Sequence, residues 1–298
     1  MWIDKLKDVS FDGRMMHNMS LASLSYLNIG GVAKVVCYPL HVEDLSNILN
    51  FCFCFNVPVL VLGNASNTLL SDAGWSGVVI SLKHFLTKIT VENDSIEILG
   101  DIRLEKLLAI ASKNNIAGFE FLTAIPGVVM ASINGNAGAE KCSISDLLME
   151  YKYMDIQGCS HSVSKKDILC SYRKGPLQTF GIIYSACLKG EMSQKDLIQK
   201  SVKEKWEYRR NRQPISERSL GCVFKNATDY CAGQLIEHAG LKKKSVGDVA
   251  VSDIHANFFV NNGRGKSIDF LNLIEEVRYC VQNKFGVFLE LEIKKVGD

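Results

Sequence analysis

The chain has 298 residues, of which 47% are hydrophobic and 22% charged, as is usual for a globular protein with an ample core. Its 34 lysines and arginines nearly balance 32 aspartates and glutamates, so the net charge of +2 gives no sign of a nucleic-acid or membrane surface. The charged start lacks the apolar stretch of a signal peptide, and no apolar run is long enough to span a bilayer. We therefore expect a cytoplasmic protein without nucleic-acid or membrane partners.

The first third of the chain predicts mixed α/β structure. A turn at Gly30-Gly31 precedes the first strand, and apolar residues then recur at three- and four-residue spacing along a helix whose buried stripe includes Phe53. The predicted elements are a strand over 33–37, a helix over 42–53, and strands over 59–62 and 78–82.

The rest of the chain continues this mixture, with a boundary near residues 190–195. Before it we predict strands over 88–92 and 95–99, a helix over 104–113, strands over 151–156 and 161–164, and a strand within 179–188. After it we predict a helix over 194–211, a strand over 219–227, a helix over 234–239, a strand over 257–260, a helix over 268–283 capped by Ser267, and a last strand over 287–293.

The ten cysteines are scattered, and none forms a C-x-x-C pair. Cys52 and Cys54 have the wrong spacing for a zinc knuckle, and no histidine pattern typical of a metal site is present. We expect no metal ion, and we interpret most cysteines as small buried residues in a reducing compartment.

Residues 125–139, here called the glycine segment, contain Gly127, Gly135 and Gly138 and no charged residue. Glycine lets backbone N–H groups approach a ligand, and successive N–H groups can form an anion-binding concavity. The loop over 62–67 (LGNASN) has similar chemistry. The two loops suggest one large polyanionic ligand such as a dinucleotide pyrophosphate, although spacing alone is more typical of two ordinary turns.

Several other positions have both a functional and a structural interpretation. Arg173 lies in a polar turn, where it could bind a carboxylate or simply face solvent. Cys222 lies on a predicted strand, and Glu290 and Glu292 share one face of the last strand. The sequence VNNGRGKS (260–267) lacks the first glycine of a phosphate-binding P-loop, so we interpret it as a loop and helix cap.

Together these stretches resemble one family closely, the UDP-N-acetylenolpyruvoylglucosamine reductases, which are flavin enzymes of peptidoglycan precursor synthesis. Any one segment alone is weak evidence for the family, but the matching segments lie in the family's order and span nearly the whole chain. The matching segments are NIGG (28–31), LGNASNTLLSDAGWSGVVI (62–80), AGFEFLTAIPGVVMASINGNAGA (117–139), SYR (171–173), QPISERSLGCVFKN (213–226), AGQLIEHAGLK (232–242), HANFFVN (255–261) and LELEIKKVG (289–297).

The resemblance implies an α+β fold, with a two-subdomain FAD-binding module of the vanillyl-alcohol-oxidase (PCMH) type and a smaller α/β C-terminal substrate domain. We expect the first subdomain over 1–82, the second over 83–192 and the substrate domain over 193–286, with the last strand (287–298) able to return to the first. A tyrosine-bearing lid insertion has no clear counterpart here, so we expect the shorter, second class of the family.

The resemblance also implies a reaction in two halves. NADPH gives a hydride to bound FAD, which passes it to C3 of the enolpyruvyl group of a UDP-sugar, and a proton is added at C2. The partner is thus a small UDP-sugar, and we expect a monomer.

The implied site residues come from matched motif positions. The FAD-binding residues are Gly30, Gly31, Gly63, Asn64, Ala65, Ser66, Asn67, Pro126, Gly127, Asn134, Asn136, Ala137 and Gly138. The substrate-binding residues are Tyr172, Lys225, Asn226 and, more weakly, Arg209.

The implied catalytic residues are Arg173, Cys222 and Glu292. Arg173 and Glu292 match the family's pair that stabilises the negative charge left after hydride addition, and Glu290 remains an alternative because it shares a strand face with Glu292. Cys222 occupies the position where the family usually has a proton-donating serine, and a thiol is intrinsically a better acid than an alcohol.

Further departures from the family pattern are Met130-Ala131 in place of Gly-Gly, Gly175 in place of serine and Ala227 in place of proline. Two other functions stay open at this point. One is an FAD-dependent oxidoreductase of another kind on the same cofactor fold, and the other is a non-catalytic flavin- or nucleotide-binding module.

Overall fold

A computed structural model describes residues 2–227 and 229–297. Met1 and Asp298, the outer ends of the predicted first subdomain and last strand, lie outside the described residues. Two units divide the chain. Unit 1 consists of Met1–His17, Lys34–Gly63 and Ser76–Glu207, and unit 2 consists of Asn18–Ala33, Asn64–Trp75 and Tyr208–Asp298. The three predicted functional domains stay a prediction.

Runs of one to five strands separate the helices along the chain. The helices are α1 (Trp2–Leu6), α2 (Val42–Cys54), α3 (Leu104–Lys113), α4 (Val129–Asn134), α5 (Ile144–Leu147), α6 (Lys195–Arg210), α7 (Ala232–His238) and α8 (Ser267–Phe285). The strands are β1 (Arg14–Ser20), β2 (Val32–Tyr38), β3 (Val59–Val61), β4 (Thr68–Leu70), β5 (Trp75–Ile80), β6 (Lys88–Glu92), β7 (Ser95–Leu99), β8 (Ile116–Ala117), β9 (Gly138–Ala139), β10 (Cys142–Ser143), β11 (Leu148–Met154), β12 (Ser160–Ser164), β13 (Ile182–Lys189), β14 (Glu191–Met192), β15 (Ser219–Cys222), β16 (Ser245–Val246), β17 (Val249–Val251), β18 (Phe258–Asn261) and β19 (Lys294–Val296).

Unit 1 contains a five-stranded antiparallel sheet in the order β12-β11-β13-β7-β6. The alternation of β7 explains its orientation, because Ile96 and Ile98 are fully buried whereas Glu97 faces solvent. These isoleucines share one apolar cluster with Leu107 of α3 and Met130 of α4. The cluster therefore fixes both helices on one face of the sheet.

Unit 1 also holds most of a second sheet, in the order β1-β2-β5-β3, in which β3 and β5 run parallel. The buried stripe of α2, including Leu45, Ile48 and Leu49, packs in one cluster with Val78 and Ile80 of β5. The turn at the carboxyl end of β3 opens the loop that contains Gly63.

Unit 2 has a four-stranded antiparallel sheet in the order β15-β18-β17-β16, and a short parallel pair, β4 with β19. Phe259 of β18 packs with Phe270 and Val277 of α8 in its apolar cluster. The backbone N–H and hydroxyl of Ser267 both donate to the carboxylate of Asp72, at 2.8 Å each. Asp72 thus anchors the start of α8.

Most predicted elements are present, and four details are wrong. The glycine segment, read as a loop, contains α4. Phe53 is 49% exposed, and Phe51 takes its place in the core of unit 1. Ser267 is the first residue of α8 and not its cap. The last strand is shifted, because only Leu291 of the predicted range makes a ladder bridge before β19 begins at Lys294.

The cysteine prediction is also wrong, because only Cys37 and Cys52 are buried, and four others are exposed. Burial raises the pKa of the Cys52 thiol to about 12. The prediction of a loop between β18 and α8, in place of a phosphate-binding P-loop, is confirmed. The Asn261 side chain accepts the N–H groups of Gly263 and Gly265 in this loop, at 3.0 Å each. No helix among the described residues is long and apolar enough to cross a membrane.

Asp101 provides a test of how α4 is held in unit 1. Its carboxylate accepts the Met130 N–H at 3.1 Å, while burial raises the pKa of the Asp101 carboxyl from 3.8 to about 7. The folded chain therefore holds this proton to higher pH than the unfolded chain, so the stability contributed by Asp101 falls as pH rises from about 4 to about 7 and is flat above.

We expect Asp101→Asn, which keeps the acceptor for the Met130 N–H, to remove that slope and to raise the free energy of unfolding by about 1–2 kcal/mol at pH 8. Denaturant unfolding of both proteins at pH 5 and pH 8 measures the difference. An unchanged pH slope in the variant would show that Asp101 does not titrate as described.

Candidate active site

The glycine segment in unit 1 is hydrogen-bonded along residues 101–104. The carbonyl of Gly127 accepts the Leu104 N–H at 3.1 Å, and the Val129 N–H donates to the Ile102 carbonyl at 2.8 Å. Gly127 has a φ of +131°, which suits only glycine well. Sequence reasoning missed the contribution of Asp101, whose only signal is an acidic residue just before an apolar helix.

The second half of the glycine segment closes on itself. The N–H groups of Gly135, Asn136 and Ala137 donate to carbonyls within α4, at 2.8–3.0 Å. These amides end the helix, so the concavity expected from successive N–H groups is not formed by these three. The assignment of Asn134, Asn136 and Ala137 to the cofactor stays a prediction.

The two glycine-rich loops approach each other in unit 1 at Gly63. A Cβ added there would lie 2.7 Å from Cγ2 of Val128 and 3.2 Å from Cβ of Ala131. Any other residue at position 63 would therefore require the Val128 side chain, just before α4, to move. Met130, one of the departures from the family pattern, is 3% exposed and packs in the apolar cluster of unit 1, so its side chain is occupied by the core.

The chemistry of this region suits a large anion. The glycine segment has no charged side chain from Ile125 to Ala139, and Pro126, near its start, is exposed to solvent. The raised pKa of the Asp101 carboxyl lowers the negative charge beside α4 at neutral pH. A flavin dinucleotide, with an anionic pyrophosphate, fits these residues.

Arg173 lies at the tip of a tight turn in unit 1. Ser171 and Lys174 exchange both backbone hydrogen bonds, at 3.0 and 2.9 Å, and leave Tyr172 and Arg173 at the two central positions. Nη1 of Arg173 donates to the Gly138 carbonyl at 3.0 Å, and its guanidinium carbon lies 4.9 Å from the Tyr172 ring centroid. The guanidinium is thus held beside the end of the glycine segment.

In unit 2, Gly30 and Gly31 pack on the turn that follows β4. Gly30 has a φ of +141°, and a Cβ on Gly31 would lie 2.1 Å from the Asp72 carbonyl oxygen. The Gly31 N–H donates to the Ser71 carbonyl at 2.8 Å. Glycine is therefore required by the packing at this pair, whatever ligand it meets.

The loop Asn64–Asn67 of unit 2 lies beside the last part of the chain. Ala65 adopts a left-handed φ of +45°, and Ser66 stands between it and Asn67. The side chain of Asn67 donates to the Glu292 carbonyl at 3.3 Å, and its own carbonyl accepts the Lys294 N–H at 3.0 Å. A predicted cofactor loop and a predicted catalytic residue are thus neighbours within unit 2.

Cys222 and Glu292 lie on paired segments of unit 2. Phe224 and Leu291 form an antiparallel bridge, and the Glu292 N–H donates to the Val223 carbonyl at 2.8 Å. Glu292 is therefore opposite the residue that follows Cys222. Both catalytic candidates are partly exposed.

The remaining candidates of unit 2 differ in their surroundings. Nζ of Lys225 lies 3.0 Å from a carboxylate oxygen of Glu290, and the Glu290 side chain is 68% exposed. Asn226 is exposed, and its side-chain oxygen accepts the Ala232 N–H at the start of α7. Arg209 is only 4% exposed, at the end of α6.

Sequence reasoning also missed Asn257 in unit 2, which is 1% exposed. Its side chain accepts the Phe224 N–H at 3.0 Å and donates to the Phe224 carbonyl at 2.8 Å, holding the segment that carries Cys222. An asparagine between apolar residues in HANFF was the available signal.

Among the described residues, Asp12, His41 and Asp44 form a group with the spacing of metal ligands. The Asp44 carboxylate, however, accepts the backbone N–H groups of Asp12 and Leu40.

Comparison with known proteins covers both halves of the chain. Residues 213–296 match the domain family described as UDP-N-acetylenolpyruvoylglucosamine reductase, C-terminal domain, and residues 33–164 match the family described as FAD binding domain. UDP-N-acetylenolpyruvoylglucosamine reductase 1 of Bacillus cereus is 33% identical over 287 residues, 96% of this chain and 95% of the relative. The reductase of Caldanaerobacter subterraneus is 34% identical over 297 residues, 99% of this chain and 98% of the relative.

Solved structures support the same family and fold. The crystal structure of UDP-N-acetylenolpyruvylglucosamine reductase from Thermus caldophilus superposes with a TM-score of 0.79 at 27% identity, over 97% of this chain and 100% of that one. Berberine bridge enzyme from Eschscholzia californica shares the fold, with a TM-score of 0.51 at 15% identity, over 76% of this chain and 52% of that one. The predicted α+β class, with an FAD-binding module of the vanillyl-alcohol-oxidase type, is confirmed. The chain belongs to the UDP-N-acetylenolpyruvoylglucosamine reductase family and is an FAD-containing oxidoreductase.

Proposed function

We propose that this chain catalyses the NADPH-dependent reduction of UDP-N-acetylglucosamine enolpyruvate to UDP-N-acetylmuramate, acting as a monomer in the cytoplasm on this small UDP-sugar. The observation that carries the proposal is the pairing in unit 2 that sets Glu292 opposite Val223, next to Cys222, with the predicted cofactor residue Asn67 bonded to the Glu292 carbonyl. The proposed proton donor and the proposed acidic group thereby lie beside a loop predicted to bind the cofactor.

FAD, when bound, supplies the redox chemistry by taking a hydride from NADPH and delivering it to C3 of the enolpyruvyl group. The residues proposed to hold it are those of the two glycine-rich loops and Gly30-Gly31, apart from the side chain of Asn136, which is buried and hydrogen-bonded within unit 1. The support is the uncharged glycine segment, the close approach at Gly63 and the left-handed backbone of Ala65.

Arg173 has the role of offsetting charge. Hydride addition at C3 moves the double-bond electron pair toward C2 and the substrate carboxylate, and a guanidinium lowers the energy of that anion. Nη1 donates to the Gly138 carbonyl, which holds the group in place, and the planar guanidinium fork matches the geometry of a carboxylate. Tyr172, next to it, is proposed to contact the substrate.

Between the two glutamates, Glu292 is the better candidate. The Glu290 carboxylate is paired with Lys225 and points to solvent, whereas Glu292 is partly buried. A carboxyl group beside a developing anion stabilises it when it carries a proton, so we propose that Glu292 acts in its protonated form.

Cys222 is proposed to donate the proton to C2. The S–H bond breaks as the C2–H bond forms, and solvent then returns a proton to the thiolate. A Cβ added to the preceding Gly221 would meet no atom within 4 Å, so there is open space next to Cys222 for a substrate. Positioned acid catalysis of this kind typically contributes about 10²–10⁴-fold.

Lys225 and Asn226 follow Cys222 and are proposed to bind the UDP-sugar, with Arg209 as a weaker candidate for the diphosphate. The side-chain N–H₂ group of Asn226 can still donate while its oxygen caps α7. Arg209 is nearly buried, which would strengthen a charge interaction and limit its reach.

The other two functions predict different outcomes. Purified holoenzyme with NADPH and the enolpyruvyl UDP-sugar should consume the two reactants in equal amounts and yield a product with two more hydrogen atoms, detected by mass spectrometry. NADPH oxidation without that product would favour another flavin oxidoreductase, and no turnover would favour a binding module.

We expect Cys222→Ala to slow reoxidation of the flavin by the substrate by about 10²–10⁴-fold, because the proton donor is lost, while flavin reduction by NADPH stays unchanged. Stopped-flow absorbance separates the two steps. Cys222→Ser should retain more activity than the alanine variant and should resist inactivation by iodoacetamide, although four exposed cysteines remain to be alkylated. Full activity in Cys222→Ala would rule out this role.

The two glutamates form a matched pair for mutation. Glu292→Gln should lower kcat by about 10²–10³-fold, because the amide cannot supply an acidic hydrogen to the developing anion. Glu290→Gln should change mainly KM, through the loss of its ion pair with Lys225. A larger kcat effect at Glu290 than at Glu292 would reverse the assignment.

A further inference from the structure

The side chain of Asn136 connects three parts of unit 1. It is 4% exposed, its Nδ2 donates to the Ser171 carbonyl at 2.9 Å, and its Oδ1 accepts the Ser145 N–H at 3.2 Å. Asn136 therefore joins the glycine segment both to the start of α5 and to the turn that carries Arg173. A buried amide bonded at both ends fixes the distance between the groups it connects.

The turn that presents Arg173 depends on outside support. Arg173 has a φ of +58°, a left-handed conformation that costs a non-glycine residue about 1 kcal/mol. Contacts besides the Asn136 bond also support the turn. Nη1 of Arg173 donates to the Gly138 carbonyl, and a Cβ on Gly175 would lie 2.3 Å from the Asn134 carbonyl oxygen. The turn is thus seated on the end of α4.

We infer that Asn136 is a positioning residue for Arg173, which keeps the guanidinium directed at the substrate by fixing the Ser171 carbonyl to the glycine segment. The inference rests on the proposed charge-stabilising role of Arg173. It assigns the Asn136 side chain to the catalytic turn, since its oxygen and one N–H are used within the protein and almost none of its surface is exposed.

A double-mutant cycle tests the inference. The measured quantity is the rate at which the enolpyruvyl UDP-sugar reoxidises the NADPH-reduced holoenzyme in a single turnover, with FAD in excess. We expect about 10²–10³-fold slowing in Arg173→Ala and about 10- to 100-fold slowing in Asn136→Ala. Because Asn136 acts through Arg173, the double variant should be no more than about threefold slower than Arg173→Ala.

If the slowing of reoxidation in the double variant equalled the product of the two single-variant slowings, the inference would be overturned while the role of Arg173 stayed intact. An unchanged rate in Arg173→Ala would overturn the proposed role of Arg173 itself, and with it the inference. The two failures are therefore distinguishable in one set of rates.

Asn136→Asp separates positioning from folding. Aspartate can still accept the Ser145 N–H but turns an acceptor toward the Ser171 carbonyl, so reoxidation should be slowed as in the alanine variant while reduction by NADPH is unchanged. Wild-type reoxidation in Asn136→Asp, or loss of flavin from both variants, would overturn the inference, since Asn136 would then be dispensable or a cofactor-retention residue.

A matched control lies elsewhere in unit 1. The exposed side chain of Asn50 donates to the Gln157 carbonyl at 3.1 Å, which is also a bond from an asparagine amide to a carbonyl far away in the chain. Asn50→Ala should leave both half-reactions at wild-type rates. Slowing there equal to that of Asn136→Ala would show that loss of any such bond has the same effect, against a specific role for Asn136.

Discussion

A stretch of chain that carries no charge must still satisfy its backbone polar groups, and the rest of unit 1 depends on how the glycine segment meets this requirement. Its first residues bond to the stretch 101–104, and its last amides close α4. The cost of burying these groups unpaired would be about 1–3 kcal/mol each, so the pairing fixes the segment in place. A fixed, uncharged surface can then face an anionic cofactor.

Two departures from the family pattern lie in or beside the glycine segment. Met130 stands where the family usually has glycine, yet its side chain fills the apolar cluster beneath the sheet of unit 1. Gly175 stands where serine is usual, and here a Cβ would strike the Asn134 carbonyl. Each change alters packing on the protein side, and neither adds a charge to the glycine segment.

In the proposed reaction, unit 2 meets a different requirement, the delivery of a proton to carbon. A thiol is intrinsically more acidic than the alcohol usual at this position, so Cys222 is chemically competent, and its partial exposure keeps it accessible to solvent protons. Asn257 holds the backbone on one side of this segment, and the bond from Glu292 to Val223 holds the other. Reactivity is thereby combined with a rigid backbone.

Sequence predicted the sheets, the longer helices and the family, because alternation, helical spacing and ordered motifs are local signals. It missed α4, because a helix of six residues, four of them apolar, gives too short a pattern to distinguish a helix from a loop. The anchoring residues Asp101 and Asn257 were missed for another reason. Their partners lie about 30 positions away in the chain, and single sequences do not reveal such pairs. The exposed cysteines show the same limit, since residue type alone does not fix burial.

The most direct test of the account is the absorption spectrum of the purified protein, recorded anaerobically before and after NADPH and then after the enolpyruvyl UDP-sugar. The account predicts a flavin band that NADPH bleaches and that the UDP-sugar restores in a single turnover. A band that NADPH bleaches but the sugar does not restore, or no flavin band after FAD is added, would contradict it.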